Sequence, residues 1–215
     1  MSTIQIILAK KADVIKLLGK VPDKIYVACS GGVDSMAALS FLDNGKRKIS
    51  VAHFDHGTEH GLKAQKFIKE YCRKNKISLQ LGSVTRKRDP SESREEYWRN
   101  ERYAFFKSLD APVITAHHIN DVAEWWVFST LHGEPKLIPY RNENVIRPFL
   151  LTSKQELTGW CKHHNVPYVK DPSNQNLAYM RNLIRHRIMP QCIKVNPGLT
   201  KVLVKKIKGS AEHSA

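Results

Sequence analysis

Ile25-Tyr-Val-Ala-Cys29 runs straight into Ser30-Gly31-Gly32-Val33-Asp34-Ser35, and how this junction is read decides the fold. The first five residues are of the aliphatic and aromatic kind that fills a buried strand. Beyond the loop, Met36, Ala37, Leu39, Ser40 and Leu42 return at helical spacing up to the Asn44-Gly45 turn signal. Between strand and helix, two glycines let the backbone turn sharply and come close to a ligand. The first amides of the helix then point outward with the positive end of its dipole, and Ser30 and Ser35 add hydroxyl donors. The string reads as a cradle for phosphate or pyrophosphate. It lacks the Gly-Lys-Ser/Thr ending of a Walker A loop. Asp34 is out of place beside a bare phosphate but makes sense where magnesium bridges a carboxylate and phosphates.

Outward from this junction, strand patterns over 49–54, 78–84 and 112–116 alternate with helical patterns over 62–74, 92–109 and 120–131. Such alternation predicts an α/β fold: a doubly wound, mostly parallel sheet with helices on both faces. Ligands of such sheets bind at the carboxyl ends of the strands, where the loop lies. After Gly133 the pattern loosens, with loop signals at Glu134-Pro135 and Ile138-Pro139 and a turn at Asn142-Glu143-Asn144. Ser153-Lys-Gln-Glu156 is a capping box opening a helix to about 165. A short extended piece over 166–169 precedes a last helix, 178–189, limited by Pro190. Residues 199–208 are basic and amphipathic, and 209–215 read as frayed. At the other end Ile4, Ile7, Leu8, Val14, Ile15 and Leu18 predict an amphipathic helix. The expected organisation is a core over 1–133, a helical extension of the same domain over 134–195, and a basic tail over 196–215.

Lys+Arg number 35 and Asp+Glu 20, so the net charge is 35 − 20 = +15 over 215 residues. The 41% of apolar residues is enough for a core and argues against a disordered chain. No run of about 18 apolar residues exists, which argues against a spanning helix and a membrane partner. The charge points to an anionic partner, and nucleic acid would be held by a salt-dependent term. Cys29, Cys72, Cys161 and Cys192 stand far apart with no Cys-x-x-Cys pair. That speaks against a disulfide framework or structural zinc and for a reducing, cytoplasmic setting.

Ala116-His117-His118-Ile-Asn-Asp121-Val-Ala-Glu124 closes the fourth strand and opens a helix. Asp121 and Glu124 are three apart and share a helical face, with His117 at the strand end. Two carboxylates and an imidazole at the opening of the sheet suit metal binding, amine recognition or proton transfer. The spacings of His53, His56, His117 and His118 form no recognised zinc pattern. Arg102, on the preceding helix, would reach this pocket and neutralise a transferring group. Of Trp125 and Trp126, at least one belongs to the core. Arg181, Arg185 and His186 form a basic helical stripe suited to nucleic-acid phosphates.

The phosphate loop resembles the PP-loop of the N-type ATP pyrophosphatases. With His53-Phe-Asp-His56-Gly57, Glu95 to Tyr103, His117 to Glu124, Arg147-Pro148-Phe149, Asp171-Pro-Ser-Asn174 and Tyr179 to His186, it is similar to the ordered motifs of the tRNA(Ile)-lysidine synthetase family over about residues 24–190. The resemblance implies adenylation of the C2 oxygen of wobble cytidine 34 in tRNA(Ile) with a CAU anticodon. The ε-amine of free L-lysine then attacks, giving lysidine, AMP and pyrophosphate. It implies ATP and pyrophosphate binding by Ser30, Gly31, Gly32, Val33, Asp34, Ser35 and His56, with Asp34 on magnesium. His117 and Arg102 would stabilise the adenylyl transfer, and Asp121 and Glu124 would attract the lysine ammonium or help to deprotonate it. Arg181, Arg185 and His186 would bind tRNA.

Many members of that family carry further C-terminal domains, so a minimal form or a fragment is expected here. Glu95-Glu-Tyr-Trp-Arg99 stands where the family motif usually has alanines. The competing readings are a tRNA thiolase of the same superfamily, a metabolite ligase such as an NAD synthetase, and a non-catalytic RNA-binding module. The sequence leaves the oligomeric state open, a homodimer included.

Overall fold

The computed structural model describes residues 14–45 and 47–212. Strand β1 (Lys24–Ala28) enters the loop and helix α1 (Val33–Asp43) leaves it. Then follow β2 (Lys48–Asp55), α2 (Glu59–Asn75), β3 (Ser78–Ser83), α3 (Arg94–Lys107), β4 (Val113–Ile114) and α4 (Ile119–Leu131). A small hairpin, β5 (Arg141–Asn142) and β6 (Val145–Ile146), leads through a 3-10 turn to α5 (Lys154–His163). The described residues close with α6 (Met180–Leu183), a π-helical turn over Ile184–Ile188, α7 (Met189–Val195) and α8 (Leu199–Glu212).

The sheet order is β3-β2-β1-β4-β6-β5, parallel except where β5 returns along β6. The order reverses between β1 and β4, and the loop after β1 opens at that switch point. Period-two alternation sends successive strand residues to opposite faces. Ile25, Val27, Val51, Ile114 and Ile146 pack with α1, α2 and α5, whereas Tyr26, Ala52, Val113 and Val145 pack with Phe106 of α3. Helices therefore cover both faces of a mostly parallel sheet, as the alternation of patterns predicts. A further core forms where Val122, Ala123 and Val127 of α4 meet Leu150, Ile184, Leu199, Leu203 and Ile207.

Several expectations need correction. The strand expected over 112–116 is only Val113–Ile114, and the sheet continues past 133. Val113 N–H donates to Asn144 O at 2.8 Å and Thr115 N–H to Ile146 O at 3.0 Å, drawing β6 in. The turn at 142–144 thus closes a hairpin with Glu143 at φ 52°. Of the N-terminal helix, residues 1–13 lie outside the described residues, and 14–18 are not helical. Backbone groups there pair with another segment: Lys16 N–H donates to Thr152 Oγ1 at 3.0 Å and Leu18 N–H to Pro148 O at 2.7 Å. Pro190 does not end the last helix. It sits in the first turn of α7, where no intrahelical N–H is needed, and the π turn ahead of it resets the register. Residues 209–212 are not frayed: α8 continues to Glu212, with Ser210 Oγ donating to Lys206 O at 2.9 Å. Among the described residues no helix is long and apolar enough to cross a membrane.

Candidate active site

Gly32 is the N-cap of α1 and provides no side-chain cap, so no side-chain acceptor claims the first-turn amides. The loop is held by its own serines. Ser35 Oγ donates to Gly32 O at 2.9 Å, Ser30 N–H donates to Ser35 Oγ at 3.2 Å, and Gly32 N–H donates to Ser30 Oγ at 3.4 Å. Gly31 sits at φ +83°, and a Cβ there would meet Val169 Cγ2 at 2.9 Å. The extended piece expected over 166–169 carries no strand pairing but crosses this loop, with Val169 N–H donating to Gly31 O at 2.9 Å. His53 Nδ1 lies 2.7 Å from Cys29 O and ties β2 to the residue before the loop.

The loop faces a cleft of about 440 Å³. Ser30, Gly32, Val33 and Asp34 of the loop line it together with His53 and His56 and with Lys154, Lys170, Asp171 and Arg185. Asp34 is the pivot. Its Oδ2 lies 3.4 Å from Lys154 Nζ and 3.7 Å from His118 Nε2, while its Oδ1 is buried without a partner. Burial drives this carboxyl up, but His118 and Lys154 outweigh burial and hold it below the ordinary range. His118 is also the N-cap of α4: its Nδ1 accepts from Asp121 N–H at 3.3 Å, and Asp121 Oδ2 accepts from His118 N–H at 3.0 Å. One buried imidazole therefore touches both the phosphate-loop carboxylate and Asp121.

Asp121 and Glu124 are both buried on one face of α4, as their spacing predicts. Arg181 and Arg185, read from the sequence as part of a basic stripe, pair with the two carboxylates of α4. Arg181 Nη2 lies 2.6 Å from Asp121 Oδ1, and Arg185 Nε lies 2.7 Å from Glu124 Oε1. The physical reason is that two buried carboxylates need counter-charges, and the π turn brings Arg185 onto them. His186 joins neither group; its Nε2 lies 2.9 Å from Asn174 O. Burial pushes the Asp121 carboxyl up, yet His118, Arg181 and His117 together hold it far below the usual carboxylate range.

His117 turns to Thr115, with Nδ1 2.8 Å from Oγ1. Burial pushes its pKa down to about 3, Arg147, Arg181 and Arg102 push in the same direction, and Asp121 opposes them. Arg102 has no carboxylate partner among the described residues; burial and the neighbouring Arg99, Arg181 and Arg147 lower its pKa. His56 lines the cleft, its ring 5.3 Å from that of Trp98, and burial together with Arg102 lowers its pKa to about 4. Trp126 packs against the second core, whereas Trp125 is exposed and stacks on Phe128 at 5.5 Å. Among the described residues no group of three or more His, Cys, Asp or Glu could hold a metal ion.

Lys154 and His118 were not singled out as site residues from the sequence. Lys154 follows the capping-box serine and carries no local signal; its partner, Asp34, is distant in the chain. His118 could have been found from its position as N-cap, three residues before Asp121.

A serine–glycine loop at the switch point of a doubly wound sheet, next to a carboxylate with one oxygen unpartnered among the described residues, defines an α/β protein with a candidate nucleotide site. Residues 4–192 match the PP-loop domain family, and the chain belongs to that family. It is 35% identical over 192 residues to the tRNA(Ile)-lysidine synthase of Thermotoga maritima, covering 81% of this chain and 46% of that protein. It is 31% identical over 195 residues to the enzyme of the same name from Lactiplantibacillus plantarum, covering 82% of this chain and 44% of that protein. The chain thus spans about half the length of the curated relatives it matches. Among solved structures, an NMN synthetase from Francisella tularensis aligns with a TM-score of 0.45 at 15% identity, over 67% of this chain and 63% of its own.

Proposed function

We propose that this chain is an ATP-dependent tRNA-modifying ligase that converts wobble cytidine 34 of tRNA(Ile) with a CAU anticodon to lysidine. The cytosine O2 attacks the α-phosphorus of ATP, and the bond to pyrophosphate breaks. The neutral ε-amine of free lysine then attacks C2, the C2–O bond breaks, and AMP leaves. Adenylation turns a poor leaving group into a good one. The observation that carries the reading is His118, 3.7 Å from Asp34 on one side and 3.4 Å from Asp121 on the other, linking an anion cradle to a carboxylate pair.

Ser30, Gly31, Gly32, Val33 and Ser35 hold the departing pyrophosphate through amides and hydroxyls, with His56 at the lip. Arg102, without a carboxylate partner among the described residues, offsets charge on the transferring adenylyl group, and neutral His117 stays available as a hydrogen-bonding group. Asp121 and Glu124 receive the lysine ammonium, which gives up one proton to solvent to become the attacking amine. Arg181, about half exposed, is the partner it displaces; Arg185, 22% exposed, stays in place.

Magnesium fits the donor set. Asp34 offers one buried oxygen without a partner, and this ion is commonly bound by one or two carboxylates plus phosphates and water. When bound, it would neutralise charge on the phosphates.

The thiolase reading has less support: all four cysteines are free, and burial pushes Cys72 and Cys161 up to about 11, leaving poor thiolates. The test is incubation with ATP, magnesium, lysine and tRNA(Ile), followed by nucleoside mass spectrometry. Lysidine at position 34 is expected. Thiolated or unchanged cytidine overturns the reading.

A further inference from the structure

The chemistry above leaves the charged outer face of α8 unused. Helix α8 carries Lys201, Lys205, Lys206 and Lys208, all exposed, and none pairs with a carboxylate among the described residues. Lys201, Lys205 and Lys208 recur at i, i+4 and i+7, so they form one stripe, with successive turns about 5.4 Å apart along the axis. The opposite face of the helix is spent: Leu199, Leu203 and Ile207 are buried against the core of α4. Three apolar anchors fix the stripe rigidly to the helix that bears Asp121 and Glu124. A groove of about 360 Å³ runs beside it, lined by Lys201 and Lys205 and by Ile119, the residue after His118. The stripe thus begins at the end of α4 that holds the site.

A helix meant for a membrane surface keeps its apolar face outward. Here that face is inward, and the outward one is cationic. A phosphate backbone is the complementary partner.

We propose that the Lys201, Lys205 and Lys208 stripe of α8 docks the phosphate backbone of the tRNA stem and so aligns the anticodon with the cleft. This rests on the tRNA-modifying reading above. The expected interaction is sequence-independent and salt-dependent, setting position while the cleft reads the base.

The experiment compares the triple variant K201E/K205E/K208E with a matched charge reversal, K48E/R73E/K74E, at the far ends of β2 and α2. Binding of unmodified tRNA(Ile) is measured from 0.1 to 0.3 M salt, with ATP affinity and melting temperature as checks on the fold. The α8 variant is expected to bind tRNA about 10- to 100-fold more weakly at 0.1 M, with a salt slope lower by about 2 to 3. Its KM for tRNA should rise while kcat at saturating tRNA and ATP affinity stay near wild type. The matched variant should change tRNA affinity less than about threefold. Wild-type affinity in the α8 variant, or an equal loss in the matched variant, overturns the proposal. Lysidine formation by the wild type is scored separately. A wild type that binds tRNA without making lysidine sinks the activity and leaves the docking surface standing if the α8 variant is still weaker. A wild type that binds no tRNA overturns both.

Discussion

Arg185 grips Glu124 at two points, Nε to Oε1 at 2.7 Å and Nη2 to Oε2 at 2.9 Å, in the planar fork that only a guanidinium provides. Asp121 shares the same arginine at 3.4 Å. Removing Arg185 leaves two buried carboxylates short of counter-charge, so Arg185→Ala should destabilise by about 3 kcal/mol or more, on the scale of broken buried pairs. Arg185→Lys should recover only part of it, and Arg181→Ala, at a more exposed pair, should cost less. Urea unfolding at pH 7 measures all three; an Arg185→Ala variant as stable as wild type removes the network from the account.

His117 gives a pH signature. The unfolded imidazole takes its proton near pH 6.5 and the folded one near 3, so its contribution to folding is full above 6.5 and lost as pH falls toward 3. His56, lowered to about 4, acts in the same direction. His117→Gln should therefore flatten the fall in stability between pH 7 and pH 4 without abolishing it. Urea midpoints of both proteins across that range decide the matter, and parallel curves would falsify the assignment.

The unpartnered Oδ1 of Asp34 predicts a kinetic loss. Asp34→Asn keeps size and removes the charge, and tRNA-dependent ATP–pyrophosphate exchange should fall about 100-fold or more. The magnesium concentration for half-maximal rate should rise. Lys154→Met, which removes a neighbour at 3.4 Å, should mainly raise the KM for ATP. Exchange at a wild-type rate in Asp34→Asn would take this carboxylate out of the chemistry.

Gly31 is required twice, by its φ of +83° and by the 2.9 Å approach of Val169 Cγ2 to a Cβ. Gly31→Ala should cost about 1 to 3 kcal/mol. Adding Val169→Ala relieves the contact but not the backbone, so the double variant should regain only part of the loss. Full recovery would mean that sterics alone, not φ, demand glycine.

Much of the fold was legible in the chain because its signals are local. The glycine pair after a β-rich run, the helix periods and the Ser153 to Glu156 capping box each lie within a few residues, and the capping box forms as read. The hairpin over 141–146 was not legible, since two-residue strands show no alternation. Nor was the non-helical course of residues 14–18: their periodicity suits a helix, but Thr152 Oγ1 and Pro148 O, distant in the chain, accept from the amides of Lys16 and Leu18.

The same division runs through the site. Sequence by itself determined the serine–glycine turn between the first strand and helix, the shared face of Asp121 and Glu124, and the excess of positive charge, because each depends on residue type and short spacing. Only the tertiary structure decided that Arg181 and Arg185 neutralise those carboxylates, that Lys154 and His118 meet Asp34, and that α8 turns its lysines outward. Those pairings join residues far apart along the chain, and burial sets them: a charge withdrawn from water takes whichever partner the packing of the helices brings within reach.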